Sequence, residues 1–230
     1  MSNQYLDGTY LQSNPTWHVE DSAWKARQIG TMLARNNLSP SSIGEVGCGA
    51  GEILAELSRT MDSGVVYHGW EISEQAFGLC RQREAPRLSF YNSDPLTDGR
   101  LRCDVMMAID VIEHVEDYLG FLRKLRETAT YKLFHIPLDL SVYGLLREYP
   151  MAMRDSVGHL HYFTKSTALA TLQTAGYRVL DHMYTPVALE ASTKGFMKTM
   201  LRYPRKMGSA INADFTVKVL GGYSLMVLAQ

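Results

Sequence analysis

Apolar residues along this chain fall alternately into short continuous runs and into stripes at helical spacing. Ala23, Ile29, Met32 and Leu33 form one such stripe and predict a helix over 20–36, opening at Asp21 or Ser22. A β-type run from Ser42 to Val46 enters a turn carrying Gly47, Gly49 and Gly51, and Ile53, Leu54 and Leu57 then predict a helix from Glu52 to Met61. The alternation continues with a strand over Val65–Ile72, a helix from Ser73 to Arg81 and a short strand at Leu88–Tyr91. Asp104 to Ile109 is almost continuously apolar, as a strand buried on both faces must be. Val115–Thr128 reads as a helix and Tyr131–Ile136 as a strand. Thr164–Thr174 is a helix ending at Gly176, Tyr177–Leu180 opens another strand, and Tyr223–Ala229 is the last. Strands alternating with helices in this way predict an α/β fold, a parallel-rich sheet with helices on both faces.

Two stretches depart from the alternation. Residues 138–162 hold Tyr143, Arg147, Tyr149, Pro150, Arg154, His159, His161 and Tyr162, while 187–219 separate the last two strands and suit a helix. Inserts at the strand ends of an open sheet are where pockets are built, so both predict a helical cap over a site. Residues 1–19, polar and aromatic with Asn14-Pro15, predict an irregular arm. The whole chain, 1–230, then forms one domain.

The glycine turn narrows the ligand. Its spacing is Gly-x-Gly-x-Gly, and Glu52 stands where a dinucleotide fingerprint would place its last glycine. A carboxylate there opposes a pyrophosphate, which needs positive potential, so a nucleoside ligand without phosphates fits and NAD does not. Glu45, Gly47, Cys48, Gly49 and Gly51 together resemble motif I of the class I S-adenosylmethionine-dependent methyltransferases. Gly-Trp-Glu-Ile-Ser puts Glu71, with Ile72 beside it, where that resemblance implies the acceptor for the ribose hydroxyls. Asp94, in Asn-Ser-Asp-Pro, resembles the family's acceptor for the adenine amino group. Asp-Val-Ile-Glu-His-Val from Asp110 resembles a segment of small-molecule methyltransferases of the ubiquinone-biosynthesis type, making Asp110 and Val111 cofactor neighbours. Gly-His-Leu-His-Tyr-Phe-Thr-Lys from Gly158 resembles the stretch that opens a late helix in the same enzymes. Over roughly residues 20–185 the resemblance implies a Rossmann-like seven-stranded sheet whose C-terminal strand is antiparallel and lies at the edge. It also implies S-adenosylmethionine as cofactor and a small-molecule acceptor. Lys25 is expected either to meet the methionine carboxylate or to lie on a solvated helix face.

Methyl transfer to a hydroxyl needs a general base or a metal ion at neutral pH. Asp110, Glu113 and His114 stand at i, i+3 and i+4, which a helix would bring to one face. His114 is then a base whose tautomer Asp110 or Glu113 fixes. The same Asp110, Glu113 and His114, completed by His161, also suit a divalent ion, although the base is the preferred expectation. The small-RNA 3′-end methyltransferases have a similar arrangement, Glu-x-x-Glu-His and a later histidine, with Asp110 here in place of the first glutamate. His161 is expected in the site over His159, because only His161 matches that pattern. His135, inside an apolar strand, is expected to be a hydrogen-bonded core histidine. Trp17, His18 and Trp24 are expected either to close on the pocket or to pack on the core.

Composition excludes several partners. With 230 residues, 46% of them hydrophobic and 20% charged, and a net charge of −1, the chain has no basic excess for gripping DNA, and RNA is disfavoured too. No apolar run nears the roughly 20 residues that span a bilayer, and the N-terminus lacks a signal-peptide pattern. The three cysteines, Cys48, Cys80 and Cys103, have no metal-type spacing, so a reduced, cytoplasmic setting is expected. Residues 194–207 interleave Lys194, Lys198, Arg202, Arg205 and Lys206 with Phe196, Met197, Met200, Leu201 and Met207. That pattern suits a solvated cap face, an anionic acceptor or a membrane surface. The expectation is a small-molecule methyltransferase acting on a hydroxyl of a sugar, glycan or phosphate-bearing metabolite. A metal-dependent RNA 3′-end methyltransferase and a non-catalytic S-adenosylmethionine-binding module stand as alternatives.

Overall fold

Each apolar run becomes a strand of one sheet, and each strand sorts its side chains to two faces by the period of two. The computed structural model describes residues 17, 19–98, 102–190 and 201–230. Strands β1 (Ser42–Val46), β2 (Val66–Trp70), β3 (Leu88–Tyr91), β4 (Cys103–Ile109), β5 (Ala129–Pro137), β6 (Val179–Thr185) and β7 (Ser224–Ala229) form a seven-stranded sheet in the order β3-β2-β1-β4-β5-β7-β6. Strands β1 to β5 pair in parallel, whereas β7 runs antiparallel to both β5 and β6. The expected antiparallel strand is thus present but not at the edge: β7 is interior and β6 is outermost. Burial gives the reason, since every residue of β7 is buried while β6 alternates and carries Asp181 and His182.

In β4, Met106 and Ala108 face one side, and Val105, Met107 and Ile109 face the other. Helices α1 (Ser22–Arg35) and α2 (Glu52–Thr60) cover the second side, where Ile29, Met32, Leu54 and Leu57 meet Ile43, Val105 and Met107. Helices α3 (Glu74–Cys80) and α4 (Pro95–Asp98) follow β2 and β3. Helix α5 (Tyr118–Leu125) and a later helix over Lys165–Thr174 cover the first side, where Leu122, Leu125, Ala168 and Leu172 pack on Met106 and Phe134. Burying each such side chain is worth about 1.5–3 kcal/mol. Helix α5 starts at Tyr118, later than the periodicity predicts, because the Asp117 carboxylate accepts from the Gly120 amide at 2.9 Å and caps it there.

The expected cap is built from α6 (Val142–Leu146), α7 (Tyr149–Val157), α9 (Val187–Glu190) and α10 (Arg202–Leu220), with the Lys165–Thr174 helix numbered α8. Helix α10 breaks at Asn212, whose φ of −152° leaves the helical region and whose side chain restarts the helix by accepting from Phe215 N. Of the basic stretch, Lys194 and Lys198 lie outside the described residues, as do His18 and all of the N-terminal arm except Trp17 and Val19. Among the described residues no helix is long and apolar enough to cross a membrane.

Candidate functional site

A cavity of about 620 Å³ opens where the C-terminal ends of β1, β4 and β5 meet the cap. Its floor is the glycine turn. Gly47, Gly49 and Gly51 have φ values of 66°, 55° and 77°, in the left-handed region that glycine tolerates. A Cβ at Gly51 would lie 2.6 Å from the Phe90 ring, so the turn is pressed against β3. Gly47 N and Cys48 N donate to Trp70 O, and Gly49 N donates to the Glu71 carboxylate at 2.9 Å. The other Glu71 oxygen accepts from Ser73 N at 2.8 Å. Burial pushes the Glu71 carboxyl up, and these amides pull it only partly back.

Glu45 lies beside the turn, 1% exposed, with Oε2 unbonded among the described residues. Burial pushes its carboxyl up to about 8, with Lys25 pulling the other way and Glu71 and Asp110 adding to the rise. Asp110 ends β4 at a φ of 53°, a left-handed conformation that an aspartate can hold. Its oxygens meet Lys25 Nζ at 2.8 Å and His135 Nδ1 at 2.6 Å. Burial pushes the Asp110 carboxyl up, but His135 and Lys25 outweigh it and hold the carboxyl well below the usual range. His135 also meets Thr185 Oγ1 at 2.8 Å, so this buried histidine is hydrogen-bonded on both nitrogens and borders the cavity. Trp17 lines the cavity, whereas Trp24 is buried beside it and donates to Glu190 at 2.9 Å.

The second half of the cavity holds two histidines. His159 Nδ1 lies 2.6 Å from Asp139 Oδ2, and both residues are buried. A carboxylate only accepts, so Nδ1 donates and Nε2 keeps its lone pair. His114 Nδ1 donates to Gly158 O at 3.2 Å, and its Nε2 lies 3.9 Å from Glu113 Oε1. The two rings meet edge-on with centroids 4.9 Å apart. Glu113, fully buried, has both oxygens without a hydrogen bond, and Glu113, His114 and His159 each present a ligand atom within 4.8 Å of the others. Burial, followed by the Asp110 charge, pushes the Glu113 carboxyl well above the usual range.

Several expected site residues fall elsewhere. Asp110, Glu113 and His114 do not share a helix face, because Asp110 turns left-handed and Ile112–His114 form a single 3-10 turn. Asp110 is therefore held by Lys25 and His135, away from the group of Glu113, His114 and His159. His161 is not in the cavity: its Nε2 donates to Val115 O at 3.0 Å and its ring lies 4.4 Å from that of Tyr118. The segment is not a regular strand, since Leu160 N and His161 N both donate to Glu113 O, and this turns His159 inward instead. Asp94 lies outside the cavity and accepts from Leu96 N at 2.9 Å at the start of α4. Ile72 also lies outside, while Glu45, Gly47, Cys48, Gly49, Glu71, Asp110, Val111 and Lys25 line it. Gly51 supports the turn from behind. Arg205, expected on a solvated face, is buried and lines the cavity. Asp139 was not legible as the partner of His159, since 20 residues separate them and only the fold joins them.

A family described as "Methyltransferase domain" matches residues 20–182. The structure of a putative methyltransferase in complex with the Haloferax volcanii Trm112 methyltransferase activator matches with a TM-score of 0.64 at 13% identity, covering 97% of this chain and 94% of that one. Magnesium protoporphyrin IX methyltransferase from Synechocystis, with bound SAH, gives 0.58 at 16% identity over 90% and 81%. A putative sarcosine dimethylglycine methyltransferase from Galdieria sulphuraria gives 0.62 at 12% identity over 89% and 83%. At such identities these likenesses establish the fold. A search of curated proteins gave no match.

Proposed function

The chain belongs to this family of S-adenosylmethionine-dependent methyltransferases, and we propose that it methylates a hydroxyl of a small metabolite with His159 as general base. The carrying observation is that one cavity joins the glycine turn to the His159–Asp139 pair.

The first half of the cavity suits the cofactor. A turn held by three left-handed glycines lets a nucleoside lie against backbone, and the buried Glu45 oxygen without a partner among the described residues calls for a cationic donor such as the cofactor's ammonium. Glu71, whose oxygens each keep a lone pair beyond their amide bonds, would take the ribose hydroxyls. The Lys25–Asp110 pair would meet the methionine carboxylate through Lys25. When bound, S-adenosylmethionine supplies an electrophilic methyl group on a sulfonium. Asp139 holds the His159 ring so that Nε2 can remove the acceptor's hydroxyl proton, and the Asp139 carboxylate stabilises the imidazolium that results. Pro137, Leu138 and the cap exclude water from that proton transfer.

Glu113 favours a second reading. A carboxylate buried with both oxygens unbonded, beside two imidazole nitrogens whose rings are fixed by Asp139 and Gly158 O, suits a divalent cation. Such an ion would supply Lewis acidity to the acceptor oxygen.

One experiment separates the readings. With His159 as base, His159→Ala should slow methyl transfer by about 10²–10⁴-fold while leaving cofactor affinity intact. Transfer should also ignore chelators. His161→Ala should stay near the parent. Loss of transfer on chelation, restored by Mg²⁺, Mn²⁺ or Zn²⁺, would favour the ion instead.

A further inference from the structure

The cap end of the cavity holds a buried positive charge that no carboxylate answers. Arg205 is 6% exposed and lines the cavity. Its Nε donates to Gly221 O at 2.9 Å and one Nη2 hydrogen to Leu220 O at 3.0 Å, which caps the C-terminal end of α10. Nη1 makes no hydrogen bond among the described residues, and the side chain borders the cavity. Tyr223, Tyr143 and Tyr149 lie around it. Burial pulls the guanidinium down, and these tyrosines offset only part of that. Two carbonyls suffice to cap a helix. They leave most of a buried cation's desolvation uncompensated, which is expensive unless an anion completes the pair.

A second cation stands at the same end. Arg147, in the turn between α6 and α7, lines the cavity; its amide donates to Gly144 O, and its guanidinium makes no hydrogen bond or ion pair among the described residues. Glu148 beside it does not line the cavity, and Asp139, which does, is taken by His159. Leu138, Met153, Leu220 and the tyrosine rings also line the cavity.

We propose that Arg205 and Arg147 form an oxyanion subsite that receives a carboxylate or phosphate on the methyl acceptor. Planar guanidinium groups match both oxyanions by paired hydrogen bonds. The acceptor is therefore a hydroxyl compound with an apolar body between the hydroxyl and the acid group. The anion anchors one end, and the hydroxyl at the other end meets His159. This inference rests on the methyltransferase reading for the hydroxyl end, but not for the anion.

Calorimetry on the full chain tests it, with benzoate, phenyl phosphate and phenol as probes at one ionic strength and without cofactor. At least one of the two anions should bind ten times more tightly than phenol, and which one does so identifies the acid group. Arg147→Gln, an exposed change, should weaken that anion about tenfold, and Arg205→Gln should weaken it further. Arg205→Lys, which keeps the charge but not the fork, should fall between Arg205→Gln and the parent, and melting curves would identify a variant that fails to fold. Equal binding of anions and phenol would overturn the proposal, as would a folded Arg147→Gln that binds the anion as the parent does. Anion binding without any methyl transfer would leave the subsite standing and sink the methyltransferase reading instead.

Discussion

At the scale of the residue, the site is a set of buried charges with unequal answers. Asp110 is met on both oxygens, whereas Glu45 and Glu113 keep oxygens with no partner. This difference has a consequence for stability. Burial pushes the Glu45 carboxyl from 4.5 up to about 8, so between those values the folded chain keeps a proton that the unfolded chain has released. The stability that Glu45 contributes is complete below pH 4.5 and is lost as pH rises through 8. Glu45→Gln resembles the protonated side chain at every pH. The variant should melt with the parent near pH 5 and at least about 2–4 °C above it at pH 8.5, the shift that 1 kcal/mol brings in a chain of this size. Its affinity for the cofactor should fall, because an amide cannot take on the negative charge that would meet the ammonium. Thermal melts across pH check the first statement, and curves that stay parallel would contradict it.

At the scale of the element, glycine has opposite meanings at two positions. Gly51 combines a φ of 77° with a Cβ position 2.6 Å from Phe90, so Gly51→Ala must strain the turn and move an aromatic ring. That change should cost about 1–3 kcal/mol and weaken cofactor binding. Gly30 lies within α1 with nothing within 4 Å of its Cβ position, so Gly30→Ala should stabilise the helix by about 0.5–1 kcal/mol. Denaturant titration of both variants would read the two signs. The elements themselves were legible wherever burial was one-sided or complete: β1 and β3 begin and end where the apolar runs do. The chain after β4 was not. Spacing of three and four suggests a shared helix face, but Asp110 N continues the sheet by donating to His135 O, and the left-handed step that follows turns Asp110 away from Glu113. The same limit hid His159, because alternation alone gives His159 and His161 one face, while two amides sharing the Glu113 carbonyl give them different ones.

At the scale of the whole molecule, the sheet order explains why the site lies where it does. Strands β1 and β4 are neighbours although three α-helices and two strands separate them along the chain, and the chain leaves β1 and β4 in opposite directions across the sheet. The crevice between their C-terminal ends is the point where a ligand can enter an open sheet. The glycine turn after β1 and Asp110 after β4 border it, and β5 adds His135 and Pro137. The cap, drawn from 138–162 and from the residues after β6, roofs the far side with His159, Arg147 and Arg205. The glycine turn and Asp110 thus come from the sheet, while His159 and the two arginines come from the inserts. The position of the cap was legible from its break in the alternation, but its pairing of Asp139 with His159 was not.

The most direct test incubates the full chain with isotopically methyl-labelled S-adenosylmethionine and a small-molecule extract, and follows the label by mass spectrometry. Label should enter a small molecule on oxygen. Glu71→Ala should need at least tenfold more cofactor for the same rate, since it loses charge-assisted hydrogen bonds worth roughly 1.5–3 kcal/mol each. His159→Ala should all but stop transfer even when saturated with cofactor. No label in any small molecule, or undiminished transfer by His159→Ala, would contradict the account of one cavity joining methyl donor to base.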